Sequence, residues 1–437
     1  MGRGLFAASA PANSCSAGDS LESRLHANIF RRCANARVRP VSNSSQPVDV
    51  KLGLSLNSLL DLNLVQGIAT LNVWLRASWY DPQLDWNSSQ YGGMKQTVAA
   101  MQDIWTPDFL AYNHVERFEK ETRHEETKVY LYANGGGVYW SRPAVIKVEF
   151  RVNVADFPFD TQECKLEMGG WSYGGFQQNL SVMPYTLPGT NGQGVRGSGS
   201  TVVTGEVDMS NFVGSLAFHV RTRPAKEAVT YYSCCPTDPW PVVTFFLEME
   251  RKPFHYIINI IFPVTVTTVV SFTTFFLPHH CGERVGLGIT CMLVITAIMF
   301  VSGDLLPVTE ERTVLGTFYN GCFFFTFLSM IVTVITCVFE SQTRDGDDSG
   351  AKGTRFFKTL LGIEPKEACR ISFRIDYYFS LLCPLSFTIF ASVSLSPRST
   401  VTTRCLMALL VIGIYFLIYA LIVLYLFFRN WRSGGPT

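Results

Sequence analysis

The chain has 437 residues, of which 16% are charged and 47% hydrophobic, with 33 Phe and a net charge of +1. Typical soluble domains carry roughly 25% charged residues. A wholly disordered chain and a protein that coats nucleic acid are both excluded, because each needs a high charge density that is absent here.

In chain order, residues 1–20 lack the long apolar core of a secretory leader. The expectation is that a leader was removed and this start stands in its place. Asp19–Cys33 places Leu21, Leu25 and Ile29 at helical spacing, which predicts a short helix. Residues 21–256 then read as one all-β domain of the sandwich class. Thr127–Trp140 alternates apolar and polar residues around Asn134-Gly135-Gly136, the chemistry of a hairpin turn. Sequons at Asn43, Asn87 and Asn179 all lie in this domain, which predicts glycosylation and an extracellular position. Five cysteines lie here: Cys15, Cys33, Cys164 and the adjacent pair Cys234-Cys235. A bridge within that pair closes a strained ring and stiffens a loop tip. No Cys/His spacing suggests a metal site, and no cofactor is expected.

From Ile257 to Val338 the charges thin out to Glu283, Arg284, Asp304, Glu310, Glu311 and Arg312, leaving the uncharged runs Ile257–Leu277, Val285–Gly303 and Thr313–Phe339. Two more follow, Tyr377–Pro397 and Cys405–Phe428. Each is long enough to cross a hydrocarbon core, which takes about 20 helical residues. The division predicted is three spans within 257–339, a short cytoplasmic loop at 340–376, a fourth span at 377–397, a fifth at 405–428 and a tail at 429–437. Within the loop, Thr354–Ile363 groups Phe356, Phe357, Leu360 and Leu361 on one face, as an interfacial or a plain cytosolic helix would. Arg429 and Arg432 suit a cytoplasmic C-terminus, although the fifth run could also lie against the outside.

Gly286, Thr290, Leu293, Ala297, Val301 and Asp304 recur at steps of three or four and share one face of the second run, with Glu283 just before it. That face is acidic at both ends and apolar in the middle. A ring of such helices around water attracts cations and gates by dewetting. The alternative is a pair of helix-end charges reaching the two interfaces.

Several blocks now carry a family resemblance: Ala27-Asn28, Arg39-Pro40-Val41, Asn72-Val73-Trp74-Leu75, Leu84-Asp85-Trp86-Asn87, Trp105-Thr106-Pro107-Asp108, Phe157-Pro158-Phe159-Asp160, Gly170-Trp171-Ser172-Tyr173, Tyr231–Pro236 and Gly282-Glu283-Arg284 with Leu287-Gly288-Ile289-Thr290. The chain resembles the pentameric ligand-gated channels of the Cys-loop type, in their nicotinic acetylcholine receptor branch. The resemblance implies an extracellular β-sandwich of about ten strands, a membrane bundle of at least four helices, five subunits around the pore, and ligand sites between subunits. Tyr112, Trp171, Tyr232 and Trp240, with a Cys234-Cys235 disulfide above them, match the principal side. Trp74, Val138 and Trp140 match the complementary side. Aromatic faces around one point suit a quaternary or protonated amine.

Both halves occur on one chain, so a homopentamer is expected, opened by a small cationic amine or an acetylcholine-like ligand. It would sit in a lipid bilayer at the plasma membrane and pass monovalent cations, with divalent cations a further expectation. No nucleic-acid partner is expected, and no enzyme motif occurs. The resemblance implies that Phe157, Pro158, Phe159, Asp160, Arg251 and the segment at Pro307 couple binding to the pore. Two departures stand out. Phe150 occupies the place of the family loop's first cysteine, so Cys164 should be a free thiol. Leu64 stands where an inner-loop acid would pair with Arg251. They leave open a cell-surface binding receptor that gates poorly.

Overall fold

The structure, a computed structural model, describes residues 20–32, 36–115, 127–191, 195–203, 205–277, 282–344 and 365–395. Several sequence expectations lie outside these residues: the replaced start, the helix at 354–363, the fifth run and the C-terminal tail; Cys15 and Cys33 lie outside them too.

The sequence-predicted helix forms as α1 (Leu21–Arg32). Leu25 and Ile29 bury against the sandwich, and Asn28 donates to the Tyr91 hydroxyl at 2.7 Å. Among the described residues, twelve strands follow. β1 (Val48–Asn63), β2 (Ile68–Tyr80), β3 (Gln96–Ala100), β5 (Lys128–Tyr132), β6 (Gly137–Glu149) and β8 (Gln178–Val182) make one sheet, ordered β3-β5-β6-β2-β1-β8. β4 (Leu110–Ala111), β7 (Thr161–Gly169), β11 (Phe218–Tyr232) and β12 (Cys235–Arg251) make the facing sheet, ordered β11-β12-β7-β4. β9 (Tyr185–Asn191) and β10 (Val195–Val203) pair as a separate ribbon.

Period-two alternation explains the layers. On β2, Ala69, Leu71, Val73, Leu75, Ala77 and Trp79 point inward. On β12, Val243, Phe245, Leu247 and Met249 meet them from the other side. Each fully buried Leu or Phe is worth about 1.5–3 kcal/mol relative to exposure. The hairpin joining β5 to β6 turns at Asn134, Gly135 and Gly136, all with positive φ, as their residue types favour.

Among the described residues, four helices are long and apolar enough to cross a membrane: α2 (Phe254–Phe276), α3 (Glu283–Gly303), α4 (Val314–Arg344) and α5 (Pro365–Ser394). The last two overrun the uncharged runs. Helix α5 begins twelve residues before Tyr377, within the stretch expected as loop, and buried Arg284 of α3 donates to its Asp376 Oδ2 at 2.8 Å. Between α2 and α4 the hydroxyls of Thr265, Thr268, Ser271, Thr326, Ser329 and Thr333 are buried and bond back to carbonyls of their own helices. They are satisfied without water.

Candidate functional site

The principal-side aromatics are drawn together by backbone ties. Trp171 and Ser172 both donate their N–H groups to Asp108 Oδ2, the former at 3.1 Å. Asp108 is locked in turn by Gln178, which accepts its N–H at 3.0 Å and donates to its carbonyl at 2.7 Å. Gly175 N–H reaches the Pro239 carbonyl at 2.6 Å, binding the Trp171 loop to the strand that carries Trp240. Tyr112 donates its hydroxyl to the Gly170 carbonyl at 2.7 Å. A Cβ on Gly169 would stand 2.2 Å from that hydroxyl, so only glycine admits the phenol there.

Burial first, and then the neighbouring Tyr232 phenol, push the Tyr112 hydroxyl well above its ordinary 10. It stays a neutral donor at physiological pH. Tyr232 and Trp240 meet edge to face, ring centres 6.2 Å apart. Trp171 is 69% exposed in the single chain, held by its backbone with its indole uncovered.

Cys234 and Cys235 form the turn between β11 and β12, and Tyr232 pairs with Cys235 in register. The sulfurs of Cys234 and Cys235 stand 2.8 Å apart. Cys164 is a free thiol, buried on the inner face of β7, and burial pushes it up to about 12.

The complementary side corrects the sequence assignment. Trp74 lies on the outer face of the six-stranded sheet, but Val138 and Trp140 are each only 2% exposed and point into the sandwich core. A shift of one residue along a strand exchanges its faces. The register pairs Trp74 with Pro143, Arg76 with Ser141 and Ser78 with Tyr139, so Tyr139 and Ser141 are the β6 residues sharing the Trp74 face. Arg76 on that face pairs with Asp208 at 2.8 Å. Burial alone would raise the Asp208 carboxyl, but hydrogen bonds from Ser210 and the Arg76 guanidinium hold it below its ordinary 3.8.

Below the sandwich, Arg251 makes a two-point pair with Asp160, Nε to Oδ1 at 2.7 Å and Nη2 to Oδ2 at 3.1 Å, with side chains only 5% and 2% exposed. Its guanidinium carbon lies 5.0, 4.7 and 5.5 Å from the ring centres of Phe157, Phe218 and Tyr256. Gln162 donates to the same carboxylate at 2.6 Å. Leu64, which stands where an acid was expected, joins the hydrophobic core. The three rings lie around the guanidinium, while Gln162 bonds the carboxylate that pairs with it.

Pro158 is buried and Phe159 half-buried. Phe157 packs edge to face on Tyr256 at the start of α2, centres 5.0 Å apart. The first N–H groups of α4 donate to this loop, Val314 to the Ala155 carbonyl at 2.9 Å and Leu315 to the Phe157 carbonyl at 3.2 Å. These are orphan donors of a helix N-terminus finding partners in the β domain. The link therefore runs to Val314 and Leu315, while Pro307 sits half-buried in the connection before them.

Helix α3 is divided lengthwise. Arg284, Gly288, Cys291, Ile295 and Ser302 are buried against the bundle. Glu283, Gly286, Thr290, Leu293, Ala297, Val301 and Asp304 are all exposed, Leu293 at 65%. Asn43, Asn87 and Asn179 are exposed as well.

With that stripe in view, comparison with known proteins decides the family. Residues 22–253 match the family described as "Neurotransmitter-gated ion-channel ligand binding domain", and residues 260–362 match "Neurotransmitter-gated ion-channel transmembrane region". The chain belongs to the neurotransmitter-gated ion-channel family. It is 33% identical over 321 residues to an acetylcholine receptor subunit alpha-like of Manduca sexta, covering 73% of this chain and 59% of that protein. It is 32% identical over 302 residues to acetylcholine receptor subunit alpha-like 2 of Drosophila melanogaster, covering 69% and 50%. It is 30% identical over 325 residues to the human neuronal acetylcholine receptor subunit alpha-10, covering 74% and 67%. The chain thus spans between half and two thirds of these relatives' own length. In family terms, residues 22–253 are the ligand-binding domain, and α2, α3 and α4 begin the transmembrane region.

Proposed function

We propose that the chain is a subunit of a ligand-gated, cation-selective channel of the plasma membrane, built as a homopentamer and opened by a small cationic amine. The observation that carries this reading is the α3 stripe from Glu283 to Asp304, uncovered along its whole length while the opposite face is packed. A membrane helix with a carboxylate at each end of an uncovered face has no partner inside its own bundle. Five such faces around water give two carboxylate rings, which concentrate cations, and an apolar girdle at Leu293 that blocks them until it wets.

The ligand would be held by Trp171, Tyr112, Tyr232 and Trp240 on one subunit. Trp74, with Tyr139 and Ser141 beside it, would close the box from the next. An electron-rich ring over an ammonium contributes about 0.5–2 kcal/mol. The Cys234-Cys235 turn caps this box, and in an oxidising space its two adjacent thiols are proposed to join. Movement of that turn would pass down β12 to Arg251, and from the Phe157 loop to α2 and α4.

Expression in oocytes under voltage clamp with a panel of quaternary and protonated amines tests the reading. Amine-evoked current that reverses with the cation gradient is expected. Substituting Glu283→Ala should move the reversal potential in dilution experiments toward that of anions, and an unmoved value removes Glu283 from selectivity. Amine binding with no current from any member of the panel would leave a surface receptor in place of a channel.

A further inference from the structure

The loop that carries Phe157 and Asp160 leaves the end of β6 at Glu149 and returns at the start of β7. Phe150 and Cys164, the positions where the resemblance implies a bridge, are both buried in the core, and a phenyl ring beside a thiol forms no bond. Two side-chain amides cross the neck of the loop instead, one on each side of that pair in sequence. Asn113 Nδ2 donates to the Glu149 carbonyl at 2.9 Å and to the Lys165 carbonyl at 2.7 Å, and its Oδ1 accepts the Glu167 N–H at 3.3 Å. Further into the loop, Gln162 Oε1 accepts the Asn153 N–H at 3.0 Å, while its Nε2 donates to the Asn153 carbonyl at 2.6 Å. A side chain that takes one residue's N–H and gives to the same residue's carbonyl reproduces a hydrogen-bonded rung of an antiparallel pair.

Gln162 is fully buried, and its other amide proton goes to Asp160 Oδ2 at 2.6 Å, an oxygen that Arg251 Nη2 also reaches at 3.1 Å. The amide cannot be turned over, because that would set its oxygen against the Asn153 carbonyl and the Asp160 carboxylate. The same clamp reaches toward the membrane. Asn153 Oδ1 accepts the Ala155 N–H at 3.2 Å, and the Ala155 carbonyl is the acceptor for Val314 at the start of α4. Gln162 thus touches the buried ion pair directly and the first turn of α4 through Asn153 and Ala155. We infer that Gln162, with Asn113 at the neck, is a positioning residue that closes the Phe157 loop in place of a disulfide and so holds Asp160 and Ala155 for the passage of movement from β12 to α4. The gating consequence rests on the channel reading proposed above; the closure of the loop does not.

The test uses the full chain in oocytes, with current evoked by acetylcholine or tetramethylammonium and divided by the subunits that surface biotinylation counts. Gln162→Met keeps the bulk of the side chain and loses the amide. It and Gln162→Ala should each lower current per surface subunit about tenfold, as the loss of one or two net hydrogen bonds would give. Asn113→Ala should lower it by about threefold. Adding Phe150→Cys to Gln162→Ala supplies a second thiol for Cys164. The disulfide oxidants of the secretory lumen take one hydrogen from each thiol as the sulfurs join, and non-reducing mass mapping reports the bridge. The bridge should return current per subunit to within about threefold of wild type, because it constrains the same loop. A packing role alone would be met by Gln162→Met, so wild-type current from that variant overturns the inference, as does a formed bridge without recovery. Hydrogen exchange on the wild-type protein needs no variant. The Asn153 N–H should exchange at least about tenfold more slowly than in an unfolded peptide, and exchange at the unfolded rate would overturn the clamp. A protected Asn153 in a protein silent to every amine would overturn the channel reading and leave the closure of the loop standing.

Discussion

Arg251 and Trp171 lie at opposite ends of the same sandwich and are finished to different degrees. Arg251 has both oxygens of Asp160, three aromatic rings and almost no exposure, all supplied by its own chain. Trp171 has its backbone N–H held by Asp108 and an indole left largely exposed. The α3 stripe resembles Trp171 in this respect. A chain completes what it needs to fold and leaves open what a ligand or another copy must complete. The exposed indole and the exposed leucine are therefore the places to look for function, and the buried ion pair is the place to look for stability.

The largest effect expected from this contrast is at Asp160. Substituting Asp160→Ala leaves Arg251 buried without its counter-charge and should destabilise the sandwich by about 3–5 kcal/mol. Thermal unfolding of detergent-solubilised protein measures it, and an unchanged midpoint would mean that the rings alone hold the charge. Trp171→Ala should do the reverse. It should change stability by less than about 0.5 kcal/mol, as for other exposed positions. It should weaken amine sensitivity by about tenfold through the lost cation–π contact. Progressive fluorination of that indole should weaken the amine stepwise, and a flat series would remove the ring from the binding of charge.

Cys164 sharpens the contrast on the side of the core. Its folded value of about 12 lies above the ordinary 9 because burial disfavours the thiolate. Its contribution to stability is thus complete below pH 9 and lost as pH climbs toward 12. At pH 8 iodoacetamide should leave Cys164 untouched in the native protein and modify it after denaturation. A Cys164 disulfide found by non-reducing mass mapping would contradict its free state.

The smallest effect lies at Asp208, whose folded value is depressed. Its contribution is present above the ordinary carboxylate range and is lost as pH falls through the lowered value. Arg76→Gln removes one of the groups holding it down, so acid unfolding followed by tryptophan fluorescence should begin at a slightly higher pH. An unchanged acid limb would assign the depression to Ser210 alone.

How much of this was legible in the sequence depended on the physics at each position. The membrane runs were legible because hydrocarbon excludes charge. No local pattern reports that Arg284 and Asp376 pair inside the bundle across 92 residues. Of the aromatic residues expected at the site, Trp171 and Tyr232 stand inside the blocks that carry the resemblance, whereas Tyr112 and Trp240 stand outside them. The inward placement of Val138 and Trp140 was not legible, because a strand's two faces differ by one residue and only the register against β2 fixes the phase. The rings around Arg251 had no sequence signal, since Phe157, Phe218 and Tyr256 meet only in the fold.

The central claim is that the open face of α3 lines a water-filled pore. Single cysteines placed by Gly286→Cys, Thr290→Cys, Leu293→Cys, Ala297→Cys and Val301→Cys, and on the packed face by Gly288→Cys and Ile295→Cys, test it directly. A cationic methanethiosulfonate is applied from the aqueous side while amine-evoked current is recorded. The account predicts irreversible block at the five stripe positions and none at the two packed ones, with buried native Cys291 silent as the background. Block at Ile295→Cys with none at Leu293→Cys and Val301→Cys would contradict it.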